Sequence, residues 1–90
     1  MPRADTTVFR FLGQLQATHR ELFARVNEAR RLGRDELVLD LVTVSLRLRP
    51  DISVERLSQV SSVEAELAKR QWRPRELDFR FRDQVIARFP

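Results

Sequence analysis

Histidine occurs once in this 90-residue chain, at His19, and neither cysteine nor tyrosine occurs at all. Nucleophilic catalysis needs a base beside the nucleophile and a third group to orient the base. On a helix Thr18 and Glu21, the sequence neighbours of His19, project to other sides of it. One imidazole among scattered carboxylates also lacks the paired ligand spacing of a zinc or calcium site, so neither a metal nor a cofactor is expected. The chemistry left is electrostatic and aromatic, and it gathers in Trp72, Arg73, Arg75, Phe79, Arg80, Phe81 and Arg82. Guanidinium forks recognise carboxylate or phosphate, and aromatic faces stack on unpaired bases or anchor protein interfaces. A non-enzymatic binding protein is the expectation, with these residues as its partner-binding set.

The net charge is +4, carried by 16 arginines and a single lysine, Lys69. By segment, residues 1–34 hold seven bases against three acids, 35–50 two against three, 51–68 one against four, and 69–90 seven against three. The chain is therefore basic, then acidic, then basic again. Arginine wherever a cation is tolerated also fits a GC-rich genome, and much of this charge complements the ends of helices, where bases are favoured at C-termini and acids at N-termini. On the expected helix boundaries Arg30, Arg31, Arg34, Arg47, Arg49, Lys69, Arg70 and Arg88 fall at C-terminal ends. The aromatic and arginine cluster of 72–82 is what this leaves unexplained.

The elements that must position it start with a seam. Val8, Leu12, Leu15, His19, Leu22, Val26 and Ala29 follow at alternating steps of four and three, the heptad pattern of a helix packed along its length. A helix over residues 7–32 would be ~39 Å long, more than a 90-residue domain is wide. It would end at Gly33 in a left-handed conformation. A domain of this size buries only about 60 to 65 per cent of its unfolded surface, and without disulfides it needs other support. Self-association through Leu12, Leu15, His19, Leu22, Val26 and Ala29 is thus expected, with an intramolecular core as the other use of the same residues. His19 in the seam would fix the register of a helix pair.

Three more helices are predicted: residues 36–48, where Glu36, Asp40, Thr43 and Arg47 form one polar stripe; residues 54–71, capped by Ser53 and burying Val54, Leu57, Val60, Val63 and Leu67; and residues 74–89, opened by Pro74. The fold class expected is all-α, a single domain over 1–90 built as a small bundle of about four helices. The alternative is α+β, because 42–49 and 77–82 alternate apolar and polar residues with the period of a strand and could pair as a two-stranded ribbon.

Residues 54–64, VERLSQVSSVE, resemble the first helix and turn of a helix-turn-helix. Ser58 meets that family's preference for a small residue after the leucine, but Ser62 stands where its turn usually has glycine, and the would-be recognition helix opens with Glu64 and Glu66, which phosphates repel. A nucleic-acid-binding regulator, using this segment at 54–70 or the basic aromatic C-terminal surface, is the alternative function. The leading expectation is a self-associating regulatory adaptor or assembly factor that recognises an acidic or mixed protein surface. With no basic-then-apolar signal in residues 1–5 and no apolar run longer than three, no membrane association and a cytoplasmic location are expected.

Overall fold

A computed structural model of the chain describes residues 6–90, so the targeting expectation drawn from residues 1–5 lies outside it. The elements run α1 (Thr6–Thr18), α2 (Arg20–Arg25), β1 (Glu28–Gly33), β2 (Glu36–Asp40), β3 (Ser45–Leu48), α3 (Val54–Lys69), β4 (Glu76–Asp78) and β5 (Ile86–Arg88). The all-α bundle is therefore overturned: the fold is α+β, with five strands in one mixed sheet in the order β1-β2-β3-β4-β5. The two-stranded alternative has the right class, but its segments contribute to β3 and β4, which pair in parallel inside a larger sheet.

The decisive segment is β2. Leu37, Val38 and Leu39 are 0, 4 and 0 per cent exposed, a run buried on both faces, which is where a central strand belongs. Its backbone must be paired on both edges. β3 supplies one edge, with Leu37 opposite Leu48 and Leu39 opposite Leu46. β1 supplies the other, with Ala29 opposite Leu39 and Gly33 opposite Glu36 around a turn at Arg34 and Asp35. That demand breaks the long helix expected over 7–32. The helix first bends at His19 (φ −139°, ψ 67°) and then ends after Arg25, as Val26 extends to φ −69°, ψ 116°. Gly33 closes a strand instead of a helix and has no positive φ.

The polar stripe that argued for a helix over 36–48 has another origin. Glu36 and Asp40 share a face of β2 because side chains repeat every two residues, and Arg47 lies opposite Val38 on that same face. A sheet face spread over two strands thus imitates a helix stripe.

α3 forms close to where the sequence places it. The Ser53 hydroxyl accepts from the Arg56 N–H at 3.1 Å, and Leu57 and Val60 are buried. Its role is a crossover, which the parallel pairing of β3 with β4 requires. It runs unbroken through Ser61 and Ser62, so the helix-turn-helix turn is absent. The helix expected over 74–89 is replaced by β4 and β5, paired antiparallel from Glu76–Arg88 to Asp78–Ile86.

Two layers result. Leu37, Leu39, Leu46, Leu48, Leu77 and Phe79 meet Phe11, Leu15, Leu22, Leu57 and Val60 of the helices in one core. The other face of the sheet is polar. Arg25 ties α2 to α3 by two bonds to the Glu64 carboxylate, both 2.8 Å. Among the described residues no helix is long and apolar enough to cross a membrane.

Candidate functional site

The end of α3 builds one side of a groove. The Trp72 N–H donates to Leu67 O at 2.9 Å and the Gln71 N–H to Ala68 O at 3.0 Å, the pair of bonds that closes a helix with one left-handed residue. That residue is Gln71, with φ 59°. The motif sets Trp72 over Leu67, and beside them opens a groove of about 820 Å³, lined also by Thr43, Val44, Glu64, Ala68, Arg73, Pro74 and Leu77. Trp72 is 51 per cent exposed. Phe89 meets it edge-on at 6.4 Å and 86°, and the Arg70 guanidinium lies 5.2 Å from its ring centre.

The opposite wall, between β2 and β3, is also left-handed. Val42 has φ 75°, and the Thr43 N–H donates across it to Leu41 O at 2.9 Å, making a γ-turn of the strained kind. A β-branched residue with positive φ is an outlier, and Val42 is in addition 77 per cent exposed. Asp40 helps hold the turn by accepting the Val42 N–H at 3.1 Å. Val42 and Gln71 are the two non-glycine residues with positive φ among those described, and they flank one groove. Strain of this kind amounts to roughly 1–3 kcal/mol per residue and concentrates at ligand clamps and switches.

The expected partner-binding set is divided by this fold. Trp72 and Arg73 line the groove before β4, and Arg75 is exposed just beyond Pro74. Neither Arg73 nor Arg75 has an ion-pair partner among the described residues. Phe79 is buried under the Arg56 guanidinium, 5.4 Å from the ring centre. Phe81 and Arg82 emerge past the far end of β4, Phe81 beside the β1–β2 turn and Arg49. They lie beyond the opposite end of β4 from Trp72.

Arg80 belongs to a closed ring of charge on the polar face of the sheet. Arg47 holds Glu36 at 2.6 Å and Glu76 at 2.7 Å; Arg88 holds Glu76 at 2.6 Å and Asp78 at 3.0 Å; Arg80 holds Asp78 at 2.7 Å and returns to Glu36 at 3.3 Å. Three acids alternate with three arginines, so the ring is neutral and offers no surplus cation to a ligand. Burial pushes the Asp78 carboxyl up, but side-chain and backbone bonds from Arg80 and a further bond from Arg88 outweigh it and hold the group down at about 2. Glu76 is likewise resisted by burial and drawn below its ordinary value by Arg47 and Arg88.

His19 lies at the α1–α2 bend. Its Nδ1 is 2.8 Å from the Thr18 hydroxyl, whose own proton goes to Gln14 O, and its Nε2 is 3.1 Å from the Ser58 hydroxyl of α3. Sequence inspection missed Ser58, 39 residues away, because only the packing of α3 against the bend brings the two together. The bonds pin the bend to α3.

The seam residues meet the sheet of their own chain. Leu15 and Leu22 are in the core; Leu12, Val26 and Ala29 are half-buried against it, Ala29 within β1. Among residues 6–33 the exposed large hydrophobics are Phe9 on α1 and Leu32 on β1.

The chain matches no family model and no curated protein. Among the described residues no group of three acids or histidines is gathered as a metal site would need. Trp72, Arg73 and Gln71 line the groove, with Phe89 against the Trp72 ring and Val42 next to the lining residue Thr43. Nothing in the sequence marks Phe89, Val42 or Gln71 as belonging to this surface.

Proposed function

We propose that the protein is a non-enzymatic interaction module, a small self-associating adaptor that recognises a protein partner through the Trp72 groove. One observation carries this reading: a half-exposed tryptophan, braced by Phe89 and Arg70, stands over an apolar groove beside Arg73, which has no ion-pair partner among the described residues. Tryptophan and arginine around a partly enclosed apolar seat are the composition of protein interface hot spots. The division of the arginine and aromatic cluster between two ends of the sheet argues against one continuous nucleic-acid track, as does the internal neutralisation of Arg80.

For self-association the supporting features are Phe9, 65 per cent exposed on α1, and β1, an edge strand with exposed Leu32. An open edge invites strand pairing with a second copy, and a chain of this size benefits from it.

Two measurements test the proposal. Light scattering at high micromolar concentration should give an oligomer that Phe9→Glu converts to monomer; a wild-type monomer removes the self-association. Anisotropy of labelled duplex and single-stranded nucleic acids at ~50 and ~200 mM salt should show no binding; tight binding with a steep salt slope would move the function to nucleic-acid recognition, since phosphate contacts release counterions.

A further inference from the structure

The groove has a chemistry of its own that narrows its partner. Its floor is apolar: Val44 is buried, Leu67 is half-buried, and Pro74 closes one side. Its one acid, Glu64, spends both carboxylate oxygens on Arg25, so it presents no free anion. Arg73 at the rim and Arg75 beyond Pro74 have no ion-pair partner among the described residues. The C-terminal end of α3, the negative end of its dipole, is offset by Lys69 in its last turn and by Arg70 at its cap. Its carbonyls at Leu67 and Ala68 are already bonded. The groove is thus an apolar seat with a positive rim, its two walls fixed by Val42 and Gln71 in a backbone state that side chains rarely adopt.

We infer that the groove seats an extended acidic segment of a partner protein, one bulky apolar side chain lying against Leu67 and Trp72 while flanking carboxylates meet Arg73 and Arg75. The inference rests on the protein-binding role proposed above and names the chemistry of the partner. Charge complementarity selects it: a basic segment would face two unpaired arginines, and an uncharged one would leave them unused. A single anchor fits because one tryptophan forms the wall.

Trp72 is the only tryptophan and the chain has no tyrosine, so the emission of the intact protein reports this groove directly. The probes are three short synthetic peptides: glutamates flanking a central leucine, the same with alanine at the centre, and the same with lysines for glutamates. The leucine-centred acidic peptide should shift Trp72 emission saturably. The alanine-centred peptide should bind about tenfold more weakly, as burial of a leucine side chain implies, and the lysine peptide should not bind. Arg73→Ala with Arg75→Ala should weaken the leucine-centred peptide about tenfold and leave the thermal midpoint unchanged, both side chains being exposed.

Equal binding of the leucine and alanine peptides overturns the apolar anchor, and equal binding of the lysine peptide overturns the acidic preference. No peptide binding, with no nucleic-acid binding either, overturns this inference alone. No peptide binding with steeply salt-dependent binding of an oligonucleotide overturns the protein-binding role as well. A shift that depends on protein concentration without peptide gives the groove to a second copy and also overturns the inference.

Discussion

Arg80 grips Asp78 twice, Nε to Oδ1 at 2.9 Å and Nη2 to Oδ2 at 2.7 Å, while its own backbone N–H donates to Oδ1 at 3.1 Å. The fully buried carboxylate of β4 thereby acquires a charge partner only two residues away, and a residue suited by type to recognition becomes structural. Arg80→Ala should therefore destabilise the protein by about 2–3 kcal/mol, somewhat less than the loss of a sole partner to a buried charge because Arg88 remains. Arg82→Ala should stay within about 0.5 kcal/mol, as exposed substitutions do. Urea unfolding of the two single variants measures the contrast; equal midpoints would remove the ring from the stability of the fold.

Acid should weaken the protein in a defined window. Asp78 has a native value of about 2 against an ordinary 3.8. A depressed carboxyl lends stability that is complete above its unfolded value and is lost as pH falls toward the folded one. Stability should thus drop by about 2 kcal/mol between about pH 4 and pH 2, with Glu76 acting in the same direction. Asp78→Asn should flatten that part of the profile and lower stability at neutral pH. Urea midpoints taken across the range decide it; an unchanged slope in the variant would mean that other acids carry the dependence.

Gln71 holds a left-handed backbone that glycine adopts without steric cost. Gln71→Gly should stabilise the protein by about 0.5–1 kcal/mol, the relief of strain being partly offset by the greater freedom of glycine in the unfolded chain. A fall in the thermal midpoint would show that the glutamine side chain itself supports the turn.

The seam residues separate by burial. Leu15→Ala should cost about 2–5 kcal/mol, as deletion from a closed core does, which is a large share of the stability of a small domain. Phe9→Ala should cost the single chain little, its ring lying mostly in solvent. Circular dichroism melts at low concentration compare them; a similar loss from Phe9→Ala would place that ring in a contact essential to the fold.

Local rules were legible where local bonds suffice. Ser53 caps α3 because its hydroxyl needs only the N–H three residues on, and Leu57 and Val60 fall inward by the helical period alone. The apolar spacing of the first third was equally visible, and Leu15 and Leu22 are indeed core residues, but the surface they pack against is a sheet. Trp72 stands beside Arg73 in the chain, and the fold leaves its ring half-exposed.

The amino-acid sequence by itself thus determined α3, the inward-facing Leu15, Leu22, Leu57 and Val60 and the cationic surplus, because each follows from a periodicity or a charge that neighbours in the chain fix. Tertiary structure alone decided the sheet, the ring and the groove. Leu37, Val38 and Leu39 become a strand only because β1 and β3 satisfy both edges, and Glu36, Asp40 and Arg47 fit a helix stripe and a sheet face equally well. Arg80 and Arg75 look alike in sequence; Asp78 and Glu36 claim one and leave the other to solvent, since a buried carboxylate must be paired and an exposed guanidinium need not be.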